Sequence, residues 1–269
     1  MRYALLFSGM SFRRHVNGLE FCYRTLVDKL GFDPANLRVL NYDGSLRAFA
    51  DPDGASNRAW PGDGTPFRMT VTADGSRHSF RAALRDIGKQ LTADDDLFIN
   101  TTGHGGHHGG VHGPDLLCYP YSECYGRDEL CADIAALPPH RSLVVLMAQC
   151  FSGGFNQAVV AASPAETTFI AAASAETGQS FRVLEDDNWD SFQRNWVAAL
   201  GGQDVNGAPL EAPVARTGSA PVTGGNAPVT VRAAFEYALA CAGMNPYDSP
   251  AFAARPANAG ELTLGPFLL

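Results

Sequence analysis

The sequence has few basic residues for its length, and it lacks any stretch in which lysine and arginine cluster. Its 20 Lys and Arg residues are outnumbered by 28 Asp and Glu residues, which gives a formal net charge of −8 and an isoelectric point near 5.3. A nucleic-acid-binding surface needs a basic stripe that neutralises phosphates. We therefore expect no nucleic-acid partner.

Long hydrophobic runs are also absent. The first apolar run, "RYALLFS", fits a core strand better than a secretory signal, and no later run approaches the roughly 20 residues that span a bilayer. The sequence therefore predicts a cytoplasmic protein that does not partner a membrane. With 269 residues, 45% of them hydrophobic, the chain can bury one sizeable core, and we expect a single domain over residues 1–269. The oligomeric state stays open.

The six cysteines show no CxxC pair of the kind that holds zinc or forms a redox motif. Disulfides among Cys118, Cys124 and Cys131 stay open, although reduced thiols are the expectation for a chain without an export signal. Small buried apolar side chains are the expected role of every cysteine except Cys150.

Short aliphatic runs alternate with amphipathic stretches, which is typical of a mostly parallel sheet with helices on both faces. We therefore predict an α/β three-layer sandwich with a central sheet of about six strands. Two regions interrupt the alternation: residues 43–75, expected to form a loop with a small hairpin, and residues 201–228, expected to form a flexible surface insert. The predicted strands are "RYALLFS", "NLRVLNYD", "DLFINTT", "SLVVLMAQ", "TTFIAAAS" and a last one near "GELTLG". The predicted helices are residues 15–30, "SRHSFRAALRDIGKQL", "GRDELCADIAAL", the stretch after Cys150, "NWDSFQRNWVAAL" and "VTVRAAFEYALACA".

Two predicted strands end in residues that carry chemistry. The run "LVVLMAQCFSGGF" ends in Cys150, and "DDLFINTTGHGGHHGG" ends in His104. The carboxyl edge of an open α/β sheet is where active sites are built, so these two side chains are expected to meet there. Cys150 would be the nucleophile and His104 its base, with the N–H groups of Gly105 and Cys150 as oxyanion donors. A helix beginning just beyond Cys150 would favour the thiolate.

The pair "TGHGG" and "AQCFSGG" resembles the His-Gly and Cys signatures of the caspase–hemoglobinase group of cysteine peptidases, at a separation close to the roughly 50 residues noted for caspases. "FRRHVNGLEFCYRTL" is similar to the first loop and helix of the legumain branch. "NWDSFQRNWVAALGG" and "VTVRAAFEYAL" are similar to the C-terminal half of bacterial caspase-like proteins. The resemblance implies a caspase-like fold and a cysteine endopeptidase that acts on protein or peptide substrates without a cofactor.

The residues around Cys150 depart from this family. Caspases read Gln-Ala-Cys, and legumain-type enzymes carry Glu two residues before the nucleophile, whereas this chain has Ala148 followed by Gln149. The preference for the substrate residue before the scissile bond (P1) therefore does not transfer. Arg14 would suit an acidic or amide P1 side chain, while Glu176 or the run "EDDNWD" would suit a basic one. The candidate substrate-binding residues are Arg14, Ala148, Gln149, Ser174, Ala175 and Glu176.

The loop after the His104 strand is rich in histidine, with His104, His107, His108 and His112 close together. Imidazoles at this density can bind Zn²⁺ or Ni²⁺, but the loop lacks the HExxH helix that presents two ligands on one face. We therefore predict no metal site. His107, His108 and His112 are expected to be polar residues that line the loop near the cleft. The Asp-Gly turns lack the ligand spacing of a calcium loop. Two alternatives to the peptidase stay open: a catalytically silent module that binds a peptide or partner protein, and a metal-dependent hydrolase centred on this loop.

Overall fold

A computed structural model describes residues 1–51, 59–107, 113–210, 228–241 and 244–265. Its strands are β1 Arg2–Ser8, β2 Leu37–Asn41, β3 Asp96–Thr102, β4 Gly105–Gly106, β5 Asp115–Leu117, β6 Cys124–Gly126, β7 Ser142–Met147, β8 Thr167–Ala172, β9 Arg182–Val183, β10 Asp186–Asp190 and β11 Ala251–Arg255. Its α-helices are α1 Arg13–Arg24, α2 Arg77–Gly88, α3 Arg127–Ala135, α4 Asn156–Ala162, α5 Ser191–Gly201 and α6 Val231–Ala240. A π-helical turn, Thr25–Lys29, continues α1.

The central sheet has six strands in the order β11-β8-β7-β3-β1-β2. Five neighbouring strands of this sheet run parallel: β2, β1, β3, β7 and β8. At one edge, β11 pairs antiparallel with β8. The predicted α/β fold with a mostly parallel six-stranded sheet is confirmed. Two smaller sheets accompany it: β4, β5 and β6 form one, and the hairpin β9–β10 forms the other.

Helices cover both faces of the sheet, and β1 shows how the sequence produces this. Successive side chains of a strand point to opposite faces, so a strand covered on both sides needs apolar residues at every position. Ala4 and Leu6 belong to one buried apolar cluster, and Leu5 and Phe7 belong to the other. The first cluster includes Val16 of α1, Trp196 of α5 and Phe235 of α6, and the second includes Phe80 of α2, Ile134 of α3 and Val159 of α4.

The C-terminal strand differs from the prediction. The edge strand is Ala251–Arg255 and not "GELTLG", whose first residues lie in the 3₁₀-helix Ala257–Glu261. Alanine-rich segments have low intrinsic strand propensity, so the sequence gives little sign of this strand. Its five residues become a strand because β8 offers an open edge to pair with.

The two interrupting regions are described in part. Residues 52–58 of the first region lie outside the described residues, as do residues 211–227, which are most of the predicted insert 201–228. The parts of residues 43–75 that the structure describes form turns and irregular segments, with an isolated antiparallel bridge between Ala48 and Asp51 and a parallel one between Ala73 and Leu40. Among the described helices, none has the length and apolar character needed to cross a membrane.

Candidate active site

The strands that deliver His104 and Cys150 are neighbours in the sheet. β3 and β7 run parallel, with Thr101 opposite Met147 at their carboxyl ends. The two chains therefore leave the same edge of the sheet side by side, as the sequence predicts for an α/β active site.

The turn after β3 depends on glycine. Gly103 has φ +114°, a backbone conformation that L side chains rarely adopt. The carbonyl of His104 accepts a hydrogen bond from the N–H of Leu117 at 3.0 Å, and Gly105 pairs with Leu116 in the small sheet. These bonds fix the backbone on both sides of the imidazole.

The turn after β7 is made differently. Phe151, directly after Cys150, has φ +61° and lies in the left-handed region that a bulky side chain seldom occupies. A 3₁₀-helix, Ser152–Phe155, follows, and α4 begins only at Asn156. The predicted helix after Cys150 is therefore a 3₁₀ turn followed by two short turns of α-helix.

The two turns touch at Gly105. A Cβ atom placed on this residue would lie 2.2 Å from the carbonyl oxygen of Cys150 and 3.0 Å from Cγ of Gln149. No side chain fits at such a distance, so the close approach requires glycine. The backbones of Gly105 and Cys150 therefore lie in contact, and the turns that carry His104 and Cys150 are neighbours.

His104 is half-buried against two other rings. Its imidazole contacts the Phe12 ring edge-to-face at a centroid distance of 4.6 Å, and the His15 ring at 5.6 Å. Burial, assisted by the positive charge of Arg14, lowers the pKa of His104 below its usual value. Near neutral pH its imidazole is therefore uncharged and able to accept a proton.

His15 lies behind His104 in a defined tautomer. Its Nδ1 accepts a hydrogen bond from the N–H of Phe12 at 2.8 Å, so the proton of the neutral ring is on Nε2, which lies 3.7 Å from Asp190. Burial holds the pKa of His15 well below its usual range, with further contributions from Arg14 and His104. His15 is thus a neutral support for the His104 ring.

Arg14 forms an ion pair with a buried carboxylate. Its Nε donates to Asp190 Oδ1 at 2.8 Å, and the hydroxyl of Thr102 donates to the other oxygen at 2.8 Å. Burial raises the pKa of Asp190, while Arg14 and Thr102 oppose that effect. The guanidinium also lies over the ring of Phe12 at 5.2 Å. Arg14 and Asp190 therefore form a polar wall beside His104.

The thiol of Cys150 contacts Ser180. The Ser180 N–H donates to Sγ at 3.4 Å, the Ser180 hydroxyl lies 3.8 Å away, and Sγ lies 3.7 Å from the Ser180 carbonyl oxygen. Within the described part of the chain, the hydrogen-bond contacts of Sγ are with Ser180 and not with His104. Catalytic hydrogen bonds are often long or absent before substrate binds.

The segment that carries Ser180 is held by Asp248, a carboxyl group with a raised pKa. Phe181 N–H donates to Asp248 Oδ1 at 2.7 Å. Burial raises the pKa of Asp248 to about 7, and the charge of Asp190 contributes. Asp248 therefore titrates close to neutral pH.

Three of the predicted substrate-binding side chains are buried. Ala148 is 2% exposed, and Gln149 and Ser174 are fully buried. The amide oxygen of Gln149 accepts a hydrogen bond from Thr101 at 2.9 Å. The Ser174 hydroxyl lies 3.3 Å from that of Ser152 and accepts from the Ser152 N–H at 3.2 Å. In this structure these residues shape the turn of Cys150 from beneath.

The other two predicted pocket residues lie further out. The N–H of Ala175 donates to the hydroxyl of Ser249 at 3.0 Å, and Ala175 is partly exposed. Glu176 is exposed, and its Cγ lies near Gly154 on the far side of the 3₁₀ turn. Of the acidic run "EDDNWD", Asp190 turns inward to Arg14.

The histidine loop is described only up to His107, because residues 108–112 lie outside the described part of the chain. The ring of His107 contacts that of Phe151 at 5.7 Å, next to the Cys150 turn. No group of three or more metal-binding side chains occurs among the described residues. His108 and His112 are not covered by that statement.

The remaining cysteines are also free thiols. Burial raises the pKa of Cys131 to about 11, and burial also raises the pKa values of Cys22, Cys118 and Cys124. A thiol with a raised pKa carries little thiolate at neutral pH.

The sequence does not point to Ser180, Asp248 or Phe12 as parts of the site. Ser180 and Asp248 reach it through loops after β8 and before β11, and no motif marks either residue. Asp190 belongs to the run "EDDNWD", which is expected from the sequence to suit a basic P1 side chain, and in the structure it pairs with Arg14.

Comparison with known proteins gives the fold and little else. No family model and no curated protein matches the chain. Among solved structures, the protein GSU0716 from Geobacter sulfurreducens matches with a TM-score of 0.52 and 14% identity, over 97% of this chain and 96% of that one. The match supports the α/β fold over the whole chain, and at this identity it carries no activity.

Proposed function

We propose that the protein is a cysteine endopeptidase in which Cys150 attacks the scissile carbonyl and His104 transfers protons. The observation that carries the proposal is the contact between the two turns, where Gly105 leaves no room for a side chain beside the Cys150 carbonyl. The resemblance of "TGHGG" and "AQCFSGG" to caspase-like peptidases supports the same assignment. No metal or cofactor takes part in it.

The first half of the reaction forms a thioester. His104 takes the proton of the Cys150 thiol, and the sulfur attacks the carbonyl carbon of the substrate. The negative charge that develops on the oxygen is held by the N–H groups of Gly105 and Cys150. When the intermediate collapses, the C–N bond breaks, and His104 returns the proton to the leaving amine. The lowered pKa of His104 keeps it in the neutral form that begins this cycle.

The second half releases the acid product. His104 takes a proton from water, and the hydroxide attacks the thioester carbon. The C–S bond then breaks, the carboxylic acid leaves, and the sulfur regains its proton from His104. Ser180, whose N–H lies 3.4 Å from Sγ, stabilises the sulfur when it carries negative charge.

Arg14 and Asp190 are the proposed polar wall of the P1 pocket. Because Asp190 neutralises the guanidinium at 2.8 Å, the remaining N–H groups of Arg14 can donate to a substrate with little net charge. The pair therefore favours an uncharged polar P1 side chain over a charged one. Arg14→Ala should lower kcat/KM strongly for the preferred P1 residue and weakly for poor ones, since discrimination is differential transition-state binding. A uniform loss across all P1 residues would instead indicate damage to the fold.

The proposal is tested with a positional-scanning library of fluorogenic peptides and four variants. Cys150→Ala should abolish hydrolysis, and His104→Ala should lower kcat by about 10³-fold or more. The double variant should lose little beyond Cys150→Ala, because the two residues act as one unit. Cys131→Ala is the matched control and should retain activity.

Two outcomes would replace the proposal. Peptide binding that is unaffected by Cys150→Ala, with no turnover in the parent protein, would indicate a silent binding module. Hydrolysis that survives Cys150→Ala but disappears with a chelator would place the reaction at the histidine loop.

Alkylation tests the nucleophile independently of any substrate. Iodoacetamide should modify Cys150 before Cys22, Cys118, Cys124 and Cys131, whose raised pKa values suppress the thiolate. Peptide mass mapping after brief exposure measures the order. Earlier modification of Cys131 than of Cys150 would contradict the assignment.

A further inference from the structure

Three aromatic rings extend from the imidazole of His104 across the surface. The ring of Phe12 lies 4.6 Å from His104, Phe49 lies 6.0 Å from Phe12, and Tyr121 stacks on Phe49 at 6.4 Å. We call Phe12, Phe49 and Tyr121 the aromatic ridge. Its outer members are exposed, Phe49 to 43% and Tyr121 to 66%.

Each ring of the ridge comes from a different loop. Phe12 follows β1, Phe49 follows β2, and Tyr121 lies in the turn between β5 and β6. The backbone holds these loops in place: the N–H of Phe49 donates to the Ser11 carbonyl at 2.7 Å, and the N–H of Glu123 donates to the Pro120 carbonyl at 2.8 Å. Single exposed apolar side chains are ordinary, whereas a contiguous exposed set next to a reactive group marks a binding surface.

The chemistry of His104 decides which part of a substrate meets the ridge. In the proposed reaction, which this inference assumes, His104 gives its proton to the nitrogen of the leaving amine. The residue that carries this nitrogen therefore lies next to the imidazole, and the residues after it continue away from the site. The ridge begins at the same imidazole, which places it within reach of the leaving side of the scissile bond.

The spacing of the rings fits an extended peptide. Alternate residues of a strand lie about 6.8 Å apart and point to the same side. The steps of 6.0 and 6.4 Å along the ridge are close to that repeat. We propose that the aromatic ridge binds the leaving-side segment of the substrate and selects apolar or aromatic side chains at alternate positions there.

The test uses two kinds of substrate with one acyl-side sequence. The first is an aminomethylcoumarin amide, which ends short of Phe49 and Tyr121. The second is a set of internally quenched peptides with Phe, Ala or Asp at alternate leaving-side positions. The parent protein should prefer Phe over Asp. Tyr121→Ala and Phe49→Ala should each lower the ratio of kcat/KM for the Phe peptide to that for the coumarin amide by about five- to tenfold.

Tyr247→Ala is the matched control. Tyr247 is also an exposed aromatic residue, 72% accessible, but it contacts Phe181 on the Ser180 side of the site. Its removal should leave the ratio unchanged. An equal loss of the ratio in Tyr247→Ala and Tyr121→Ala would overturn the inference, because the effect would not then depend on the ridge.

The failures are distinguishable. Hydrolysis of the coumarin amide without any leaving-side preference would overturn the inference and leave the peptidase standing. Hydrolysis of neither substrate kind would overturn both. If Tyr121→Ala left the ratio unchanged but dissociated a dimer in analytical ultracentrifugation, the ridge would be a contact between copies, and the inference would be wrong.

Discussion

The turns that present His104 and Cys150 solve the same geometric problem by different means. After β3, Gly103 supplies a positive φ and Gly105 supplies clearance, so the turn relies on the absence of side chains. After β7, the left-handed residue is Phe151, and buried hydrogen bonds of Ser152 hold the turn against that strain. The first turn is therefore sensitive to added volume, and the second to lost hydrogen bonds.

The comparison predicts that added volume at Gly105 has the largest effect. In Gly105→Ala the Cβ would come within 2.2 Å of the Cys150 carbonyl, so the two turns must separate. A displacement of about 1 Å between reacting groups can cost about 10²-fold in rate. We expect kcat/KM to fall by at least about that factor in the fluorogenic peptide assay.

Gly126→Ala is the control for this change. Gly126 has φ −71°, and a Cβ placed there would meet its nearest neighbour at 3.8 Å. Its activity should stay within about twofold of the parent protein, since the added Cβ displaces no neighbouring atom. Full activity in Gly105→Ala would show that the turns do not need their contact.

The second turn is tested by removing a hydroxyl. In Ser152→Ala the buried N–H of Ser174 loses its acceptor at 3.3 Å, and such a loss costs about 1–3 kcal/mol of unfolding free energy. Urea denaturation measures it. The exposed Ser122→Ala should change the midpoint little. Equal midpoints for the two variants would mean that the hydroxyls do not hold the Phe151 turn.

A charge change at Arg14 should shift the pH dependence of activity. Arg14 contributes to the lowered pKa of His104, so Arg14→Gln should raise that pKa. The base form of His104 is then lost at a higher pH, and the acid limb of the kcat/KM profile moves upward. Arg14→Lys keeps the charge and should keep the limb closer to its place. An unchanged limb in Arg14→Gln would show that another group controls it.

The last expected effect concerns Asp248. Its pKa is about 7 in the folded protein, against an ordinary aspartate pKa of 3.8, so between these values the folded state binds a proton that the unfolded chain does not. Its contribution to stability therefore falls as pH rises through this window and is level above it. Asp248→Asn removes the titration, and the stability of the variant relative to the parent protein should rise between about pH 4 and pH 8.

Urea midpoints at several pH values check the prediction for Asp248. The exposed Asp94→Asn provides the comparison and should follow the parent protein at each pH. If the urea midpoints of Asp248→Asn also matched those of the parent protein at every pH, the Asp248 carboxyl would not titrate in the expected range.

The sequence predicts the sheet better than its edges. Strands β1 and β3 have the bounds predicted for them, because their central apolar residues are buried on both faces. The prediction of the last strand is wrong because pairing with β8, and not the alanine-rich composition of β11, makes that segment a strand. β10 is an acidic segment that overlaps a stretch predicted as helix, and its pairing with β9 overrides that tendency.

For the site, the sequence indicates the two residues at strand ends and little of their surroundings. His104 and Cys150 stand out because glycine follows each strand within a few residues. Ser180 carries no such sign, since its role depends on a loop that returns 30 positions later to the sulfur. The buried hydrogen bonds of Gln149 and Ser174 likewise depend on which way each side chain faces, which spacing alone does not give.

The ion pair between Arg14 and Asp190 has a consequence for the order of events during synthesis. Its partners are 176 positions apart in the chain. A ribosome that has released residues 1–150 has produced both proposed dyad residues but not Ser180, Asp190 or Asp248. The Arg14–Asp190 wall beside His104 and the Ser180 contact with Cys150 Sγ therefore form only after the last third of the polypeptide has been made. Until then, a nascent chain has the Cys150 thiol without the residues that position it.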